Sequence, residues 1–586
     1  MRVLAAVLLS MSLAASPLLA KNAGEAGTEE TAAAVSSTPA AADKPAAVKP
    51  EASAIESEVQ DLRSLVEEQR AELEAQRAAL KAEQLKMEAL EEKMGASPSE
   101  PMSTRVATSS AISTAITPSA TVAMTPGASS APAAMSPPQA SDEVSPLQLK
   151  IGSAYITPVG FMDFTSVFRS HTGGSGIGTN FAGIPIGNPA VAGNFANHLS
   201  EFRLSMQNSR IGFRIDAMIK GAHVIGYMES DYLGNNPGNV GISSNSNTLR
   251  SRLYWVDVQR GKWEVLGGQT WSLMTPGRSG ISPLPGNIFF SQDIDVNYQA
   301  GLFWGRIPEL RFVVRPTNKV TFALALDSPE QYVGKSAGGG TITYPSAFAG
   351  LNATQLNDNT TTLNTPNVAP DLIGKLAFDP SNKFHAELGG FERQFKVWIT
   401  TPSPAGTTFS KTGAGAFVNV NFDLFKGFRL LTNNFWGDGG GRYIFGQVPD
   451  LIIRNDGSIS PIKTGSTVSG FEYTHKNTML YAYYGGIYVW KNATFDTNGT
   501  TPIGYGYTGA AASLNQNRSI QEETIGFNQT IWKDAKYGAV NFMGQYSYMH
   551  RNPWFVPVGT DKVGHLNMVF LDLRYTLPGS APTLGK

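Results

Sequence analysis

From Leu147 onward apolar and polar residues alternate with a period of two, and clusters of Gly, Pro, Asn, Ser and Thr interrupt the alternation. In 320–327, Val320, Phe322, Leu324 and Leu326 share one face, and Thr321, Ala323, Ala325 and Asp327 share the other. In 540–548, Val540, Phe542, Tyr546 and Tyr548 oppose Asn541, Met543, Gln545 and Ser547. Such alternation marks strands with two unlike faces. Short turns are expected at 219–221, 260–262, 316–318, 379–382, 425–427, 475–477 and 533–535. Long loops are expected at roughly 171–198, 234–247, 273–297, 329–366, 400–411, 438–463, 491–516 and 551–563. Seven short turns alternating with eight long loops require sixteen strands. An even count, with short turns at one end and long loops at the other, describes an all-β, 16-stranded antiparallel transmembrane β-barrel over 147–577. A wide membrane barrel has an apolar outside and a wet, polar lumen, the inverse of a soluble one.

One break in phase is informative. Phe202, Leu204 and Met206 hold even positions, but Ile211, Phe213 and Ile215 hold odd ones. The slip predicts a β-bulge near Asn208. At the end of the chain Val569, Leu571, Leu573 and Tyr575 alternate toward a final aromatic, resembling the last-strand signal of outer-membrane barrels. Eleven residues follow that aromatic, a departure from the usual form of the signal, and 578–586 are read as a C-terminal tail.

Ahead of the barrel the period is different. Val59, Val66, Leu73, Leu80, Met87 and Met94 recur every seven residues, with Ile55, Leu62, Gln69, Gln76, Glu83 and Leu90 half a heptad earlier. This predicts an N-terminal α-helical coiled coil over 55–94, roughly 60 Å long. Residues 21–54 and 95–146 are rich in Ala, Pro, Ser and Thr and read as a disordered segment and a flexible linker. Residues 1–20 read as a secretory signal: Arg2, an apolar run Val3 to Leu13, and a small-residue end, with cleavage after Ala20 or Ser16.

Composition narrows the class. Charged residues are 16% of the chain, aromatics 10%, and glycines number 60. An ordinary soluble domain carries about 25% charged residues, so the balance favours a β-protein in contact with lipid. A net charge of −1 gives no footprint for nucleic acid. The absence of cysteine excludes disulfides and thiolate metal sites. The seven histidines show no metal or nucleophile spacing. Neither a cofactor nor a metal is therefore expected, and an outer-membrane hydrolase is disfavoured. A trimeric adhesin would also use a coiled coil, but its chains usually contribute only a few strands each.

The candidate chemistry is a set of arginines. Arg250 and Arg252 on the fourth strand stand two residues apart, with Leu249, Leu253 and Trp255 expected on the other face. Arg203, Arg210 and Arg214 lie on the second strand, and Arg311 and Arg315 on the sixth, with few acidic residues expected on the same faces. If the polar face lines water, these guanidiniums form a wall for small anions, since arginine binds carboxylates bidentately. In the alternative reading they pair with acidic loop residues and brace the barrel. The loop after the fifth strand, with Arg278, Asp293 and Asp295, is the candidate constriction.

The segments NSRIGF (Asn208 to Phe213), LRSRLYW (Leu249 to Trp255), GGQTWS (Gly267 to Ser272), APDLIGKLAF (Ala369 to Phe378) and GGGRYI (Gly439 to Ile444) resemble the DcaP-like family of outer-membrane porins. That resemblance implies a trimeric barrel behind a coiled coil, a third loop folded into the lumen, and passive diffusion of small anions such as dicarboxylates. It places the barrel in the outer membrane of a Gram-negative cell and the coil in the periplasm. Peptidoglycan is a further partner expected for the coil. The alternative is a non-selective porin whose coil mainly tethers the outer membrane to the cell wall.

Overall fold

The computed structural model describes residues 147–578, apart from 174–175, 188–194, 240, 285–292, 335–339, 341, 359–364, 401–405, 446 and 509–513. The expected signal peptide, Ala/Pro-rich segment, coiled coil and linker lie outside the described residues, as does all but the first residue of the expected tail. The strands are β1 (Ala154–Arg169), β2 (Glu201–Ser205 and Arg210–Ile219), β3 (Ala222–Asp231), β4 (Arg250–Arg260), β5 (Trp263–Trp271) and β6 (Arg306–Thr317). Next come β7 (Val320–Asp327), β8 (Asp371–Ser381), β9 (Phe384–Ile399), β10 (Thr407–Phe425) and β11 (Phe428–Asp438). The ring ends with β12 (Lys463–His475), β13 (Thr478–Val489), β14 (Asn517–Asp534), β15 (Gly538–Pro553) and β16 (Gly564–Thr576).

Each strand pairs antiparallel with its sequence neighbour. The ring closes where β1 pairs with β16, from Phe161↔Thr576 to Arg169↔Met568. The result is a closed 16-stranded antiparallel barrel, as the alternation predicts. A short strand, Leu149–Ile151, pairs with the foot of β1 below the point where β16 ends. Seven tight turns join the strands at one end, and long loops fill the other. In the first and sixth turns Lys220 and Lys476 adopt positive φ (50° and 53°), which two-residue hairpins demand.

Burial follows the expected inversion. Phe322, Leu324, Phe542, Val569, Leu571 and Leu573 point outward and are exposed. Their alternating neighbours Thr321, Ala325, Asp327, Asn541 and Gln545 point inward and are buried. Such an apolar belt has no role against water and suits hydrocarbon.

The predicted bulge is present. Between the pairs Thr165↔Ser205 and Phe161↔Arg210, β1 contributes three residues (162–164) and β2 contributes four (206–209). The extra residue is held from below. Asn208 Nδ2 donates to the buried Asp163 Oδ2, the Asp163 amide donates to Ser209 Oγ at 3.0 Å, and Arg574 pairs with Asp163 at 3.0 Å. The bulge keeps Phe202 and Leu204 in one segment and Ile211 and Phe213 in the other on the same outer face.

A second phase slip corrects the sequence reading. Leu253 and Trp255, expected outside, are buried within the barrel, while Tyr254, Val256 and Val258 face outward. The cause is a register shift between Glu229↔Leu253 and Ser230↔Ser251, which leaves Arg252 as the extra residue. Arg252 and Leu253 therefore both turn inward.

The first bulge supports a test. Asn208→Ala should lower barrel stability by about 1–3 kcal/mol, the cost of leaving a buried acceptor short of its donor. Asn208→Asp, which sets a second carboxylate against Asp163, should cost more. The urea midpoints of the refolded barrels measure both. Midpoints equal to that of the unaltered protein would mean the bulge needs no such support.

Candidate functional site: the third loop and the arginine wall

The described residues of the loop between β5 and β6, 272–284 and 293–305, lie within the barrel interior and contact its wall. Near its start the Gly277 amide donates to Glu387 on β9 at 3.3 Å, and Lys375 on β8 donates to the Thr275 carbonyl at 2.8 Å. Arg278 pairs with Glu472 on β12 at 2.5 Å. Further along, the Ile294 amide donates to Gln545 on β15 at 2.7 Å, and the Ala300 amide donates to Glu522 on β14 at 2.8 Å. Gly301, at φ 89°, lies so close to Thr467 and Gly486 that an added Cβ would sit 2.7 Å from the Gly486 amide nitrogen. No larger residue fits at this crossing. The loop leaves the wall at β5, touches strands from β8 to β15, and returns at β6. Its aromatic end, Tyr298 and Trp304, faces the strands that carry the arginines.

Arg210, Arg250, Arg252 and Arg306 gather around Tyr298 and two carboxylates, Glu229 and Asp231. Arg252 bonds Glu229 at 2.9 Å and also Asp231. Arg250 grips Asp231 with two bonds of 3.0 and 2.8 Å. Arg210 stands 3.7 Å from Glu229, over the ring of Phe161. Arg210 and Arg252 donate to the Tyr298 hydroxyl at 3.2 and 3.3 Å. Arg306 lies 5.6 Å from the rings of both Trp271 and Trp304 and makes no ion pair with a described residue. Four guanidiniums thus face two carboxylates. Tyr298, on the loop, registers the imbalance. Burial alone would raise its phenol, but Arg210, Arg252 and Arg306 outweigh that and hold it below its ordinary range.

The other expected arginines are paired more evenly. Arg203 bonds Glu201 at 3.0 Å, and Glu201 also takes Arg169. Arg214 meets Asp216 at 2.8 Å, where His223 also binds. Arg311 pairs with Glu309, and Arg315 with Glu264, both at 2.5 Å. The expectation of few acidic residues on this wall is therefore corrected: all seven arginines have a carboxylate partner. Those partners stand on the strands and mostly across or beside the arginine, not on the loops. The pairing has a physical cause, since an uncompensated buried guanidinium is costly.

The loop carboxylates differ from their expected setting too. Asp293 and Asp295 are buried at 3% and 1% exposure, and Asp293 turns toward Gln545 on β15. Asp295 accepts from the Thr179 amide at 3.2 Å and the Asn297 amide at 2.9 Å. Neither makes an ion pair with a described residue. Burial, then the neighbouring Asp295, pushes the Asp293 carboxyl up to about 8. Burial likewise raises Asp295, against the opposing pull of Arg169. Among the described residues no cluster of three His, Cys, Asp or Glu side chains is placed to hold a metal ion. Arg306, Tyr298, Glu229 and Asp231 were not singled out from sequence. Their shared signal is the inward phase of β3 and the approach of the loop, neither visible in one strand read alone.

The fold and the inward loop define a porin-type barrel. No protein-family model matches the chain, and no curated protein matches it. Among solved structures it is similar to the outer membrane channel DcaP of Acinetobacter baumannii, with TM-score 0.50 and 15% identity, over 73% of this chain and 99% of that one. The anion-selective porin from Comamonas acidovorans follows at TM-score 0.40 and 11% identity, over 72% of this chain and 100% of that one. OmpF of Salmonella typhi gives TM-score 0.40 and 10% identity, over 73% and 100%. The DcaP-like resemblance read from the strand motifs is thereby matched at the level of fold.

The raised Asp293 gives a pH dependence with a definite sign. The folded protein keeps a proton there that the unfolded chain loses near the ordinary carboxylate value of 3.8. The docking of this part of the loop should therefore weaken as pH rises from about 4 to about 8 and level off above. Amide protection factors at Ile294 and Ala300, corrected for intrinsic exchange, should fall across that range, and Asp293→Asn should flatten the fall. Protection that is equally steep in the variant would assign the effect to another group.

Proposed function

We propose that the chain is an outer-membrane porin, a homotrimeric water-filled channel for passive diffusion of small hydrophilic solutes, with a preference for small anions such as dicarboxylates. The observation that carries the preference is the excess of cations at the narrowed level, four guanidiniums against two carboxylates around Tyr298. The opposing loop carboxyl Asp293 holds its proton up to about pH 8 and so does little to offset that field near neutrality. A low-dielectric wall around water concentrates the potential of unbalanced charges. Each contact with a passing solute contributes on the order of 1 kcal/mol and weakens with salt. Weak successive sites suit conduction, because a solute must leave as well as enter. Arg250, the most exposed of the ion-paired three at 40%, and Arg306, which has no carboxylate partner among the described residues, are the residues we assign to solute contact. The seven lumen arginines expected from sequence otherwise act as braces that also set the background field. The coiled coil, in this reading, lies in the periplasm and engages peptidoglycan.

Reversal potentials in a potassium chloride gradient test the reading. The native channel should prefer chloride. Arg306→Gln removes a cation without stranding a carboxylate and should shift selectivity several-fold toward potassium, with little loss of stability. Arg250→Gln together with Arg252→Gln should shift it further and slow uptake of succinate-sized anions, while neutral sugars of similar size pass unchanged. A native channel that prefers cations would favour the alternative of a general porin whose arginines only brace the wall.

A further inference from the structure

Each of the seven tight turns has a lysine in it or at its edge: Lys220, Lys262, Lys319, Lys383, Lys426 and Lys476 within the first six, and Lys533 at the penultimate position of β14 beside the seventh. All seven are exposed, and none forms an ion pair with a described residue. The acids at this end are occupied. Asp379 is bound to His385, Asp423 to Arg429, and Asp534 caps its own turn by accepting from the Lys536 and Tyr537 amides. Two of the long loops, 170–200 and 232–249, contain no Lys, Arg, Asp or Glu at all. The tight-turn end thus carries a ring of exposed lysines.

The ring is also placed against apolar surface. Lys220 follows the exposed Ile219, Lys262 precedes Trp263, Lys426 follows Phe425, and Lys533 follows Trp532. Each pair sets a cation at the end of an outward apolar side chain, where the belt stops. Lysine stems lie along apolar surface and carry the ammonium to the water boundary. A ligand that fits both features has acyl chains for the belt and an anionic head for the lysine. We propose that the turn ring binds anionic phospholipid headgroups of the leaflet at the tight-turn end, so that acidic phospholipids are enriched around the barrel. This rests on the membrane placement of the proposed porin. Anionic lipid surfaces attract nearby lysines, and the attraction fades over a Debye length of about 8 Å in physiological salt.

The full chain in nanodiscs of phosphatidylcholine with a minor fraction of phosphatidylglycerol provides the test. Spin-labelled phosphatidylglycerol should associate with the barrel several-fold more than spin-labelled phosphatidylcholine, and high salt should reduce the ratio. Replacing all seven turn lysines by glutamine should bring the ratio to about one, a loss that follows from removing the charge. Lys476→Gln with Lys533→Gln, a milder change confined to neighbouring turns, should lower it partway. Single-channel conductance of both variants should match the native channel, because the turns lie outside the narrowed level. A native ratio near one, a ratio unchanged in the variants, or binding to acidic cell-wall fragments without lipid enrichment would overturn the proposal. A native protein that enriches phosphatidylglycerol but forms no channel would contradict the porin reading and leave the lipid ring standing.

Discussion

Closure of the sheet between β1 and β16 is the constraint on which the rest depends. A ring of sixteen strands pairs its backbone groups with neighbours all the way round, so no edge is left to lipid. The same closure fixes which side of each strand meets water. Side chains that face inward must then be polar or be covered, and the interior is too wide for side chains alone to fill. The third loop supplies much of that cover. It brings Leu273, Met274, Ile294, Leu302 and Phe303 into the lumen, all at 2% exposure or less. Its polar backbone is in turn satisfied by inward carboxylates and amides of the wall.

Charge inside the barrel follows from this cover. Once a loop presses on the wall, inward arginines lose water and need carboxylates, which explains Arg311 beside Glu309 and Arg252 between Glu229 and Asp231. Where the loop returns to the wall, compensation is incomplete. Arg306 sits between two indoles, and cation–π contact takes the place of a counter-ion. The imbalance is local, and it falls where the loop returns to the wall. The same logic makes the acidic patch of the loop a place for a proton, since Asp293 is buried with no cation beside it and Asp295 has only the weaker pull of Arg169.

Much of the barrel was legible in the sequence. Period-two alternation and turn residues gave sixteen strands in the right order, and the parity change from Met206 to Ile211 located a bulge near Asn208. The second bulge escaped because the inserted residue is itself an arginine: Arg250 and Arg252 look like one face, yet Arg252 is the extra residue. The acidic partners escaped for a related reason. Glu229 and Asp231 read as an ordinary polar face of β3, and only the β3–β4 register brings them to the arginines. Arg306 could not be found from alternation, because it stands at the first position of its strand, where the loop rather than the pleat decides its surroundings.

The inward course of the third loop is the claim that most of the account shares, and conductance addresses it directly. Replacing residues 276–297 by a short Gly-Ser linker removes the crossing while leaving β5 and β6 joined. The account predicts that single-channel conductance rises and that the barrel still migrates as a folded species before heating. Unchanged conductance in a folded variant would place the loop outside the path of ions and contradict the account.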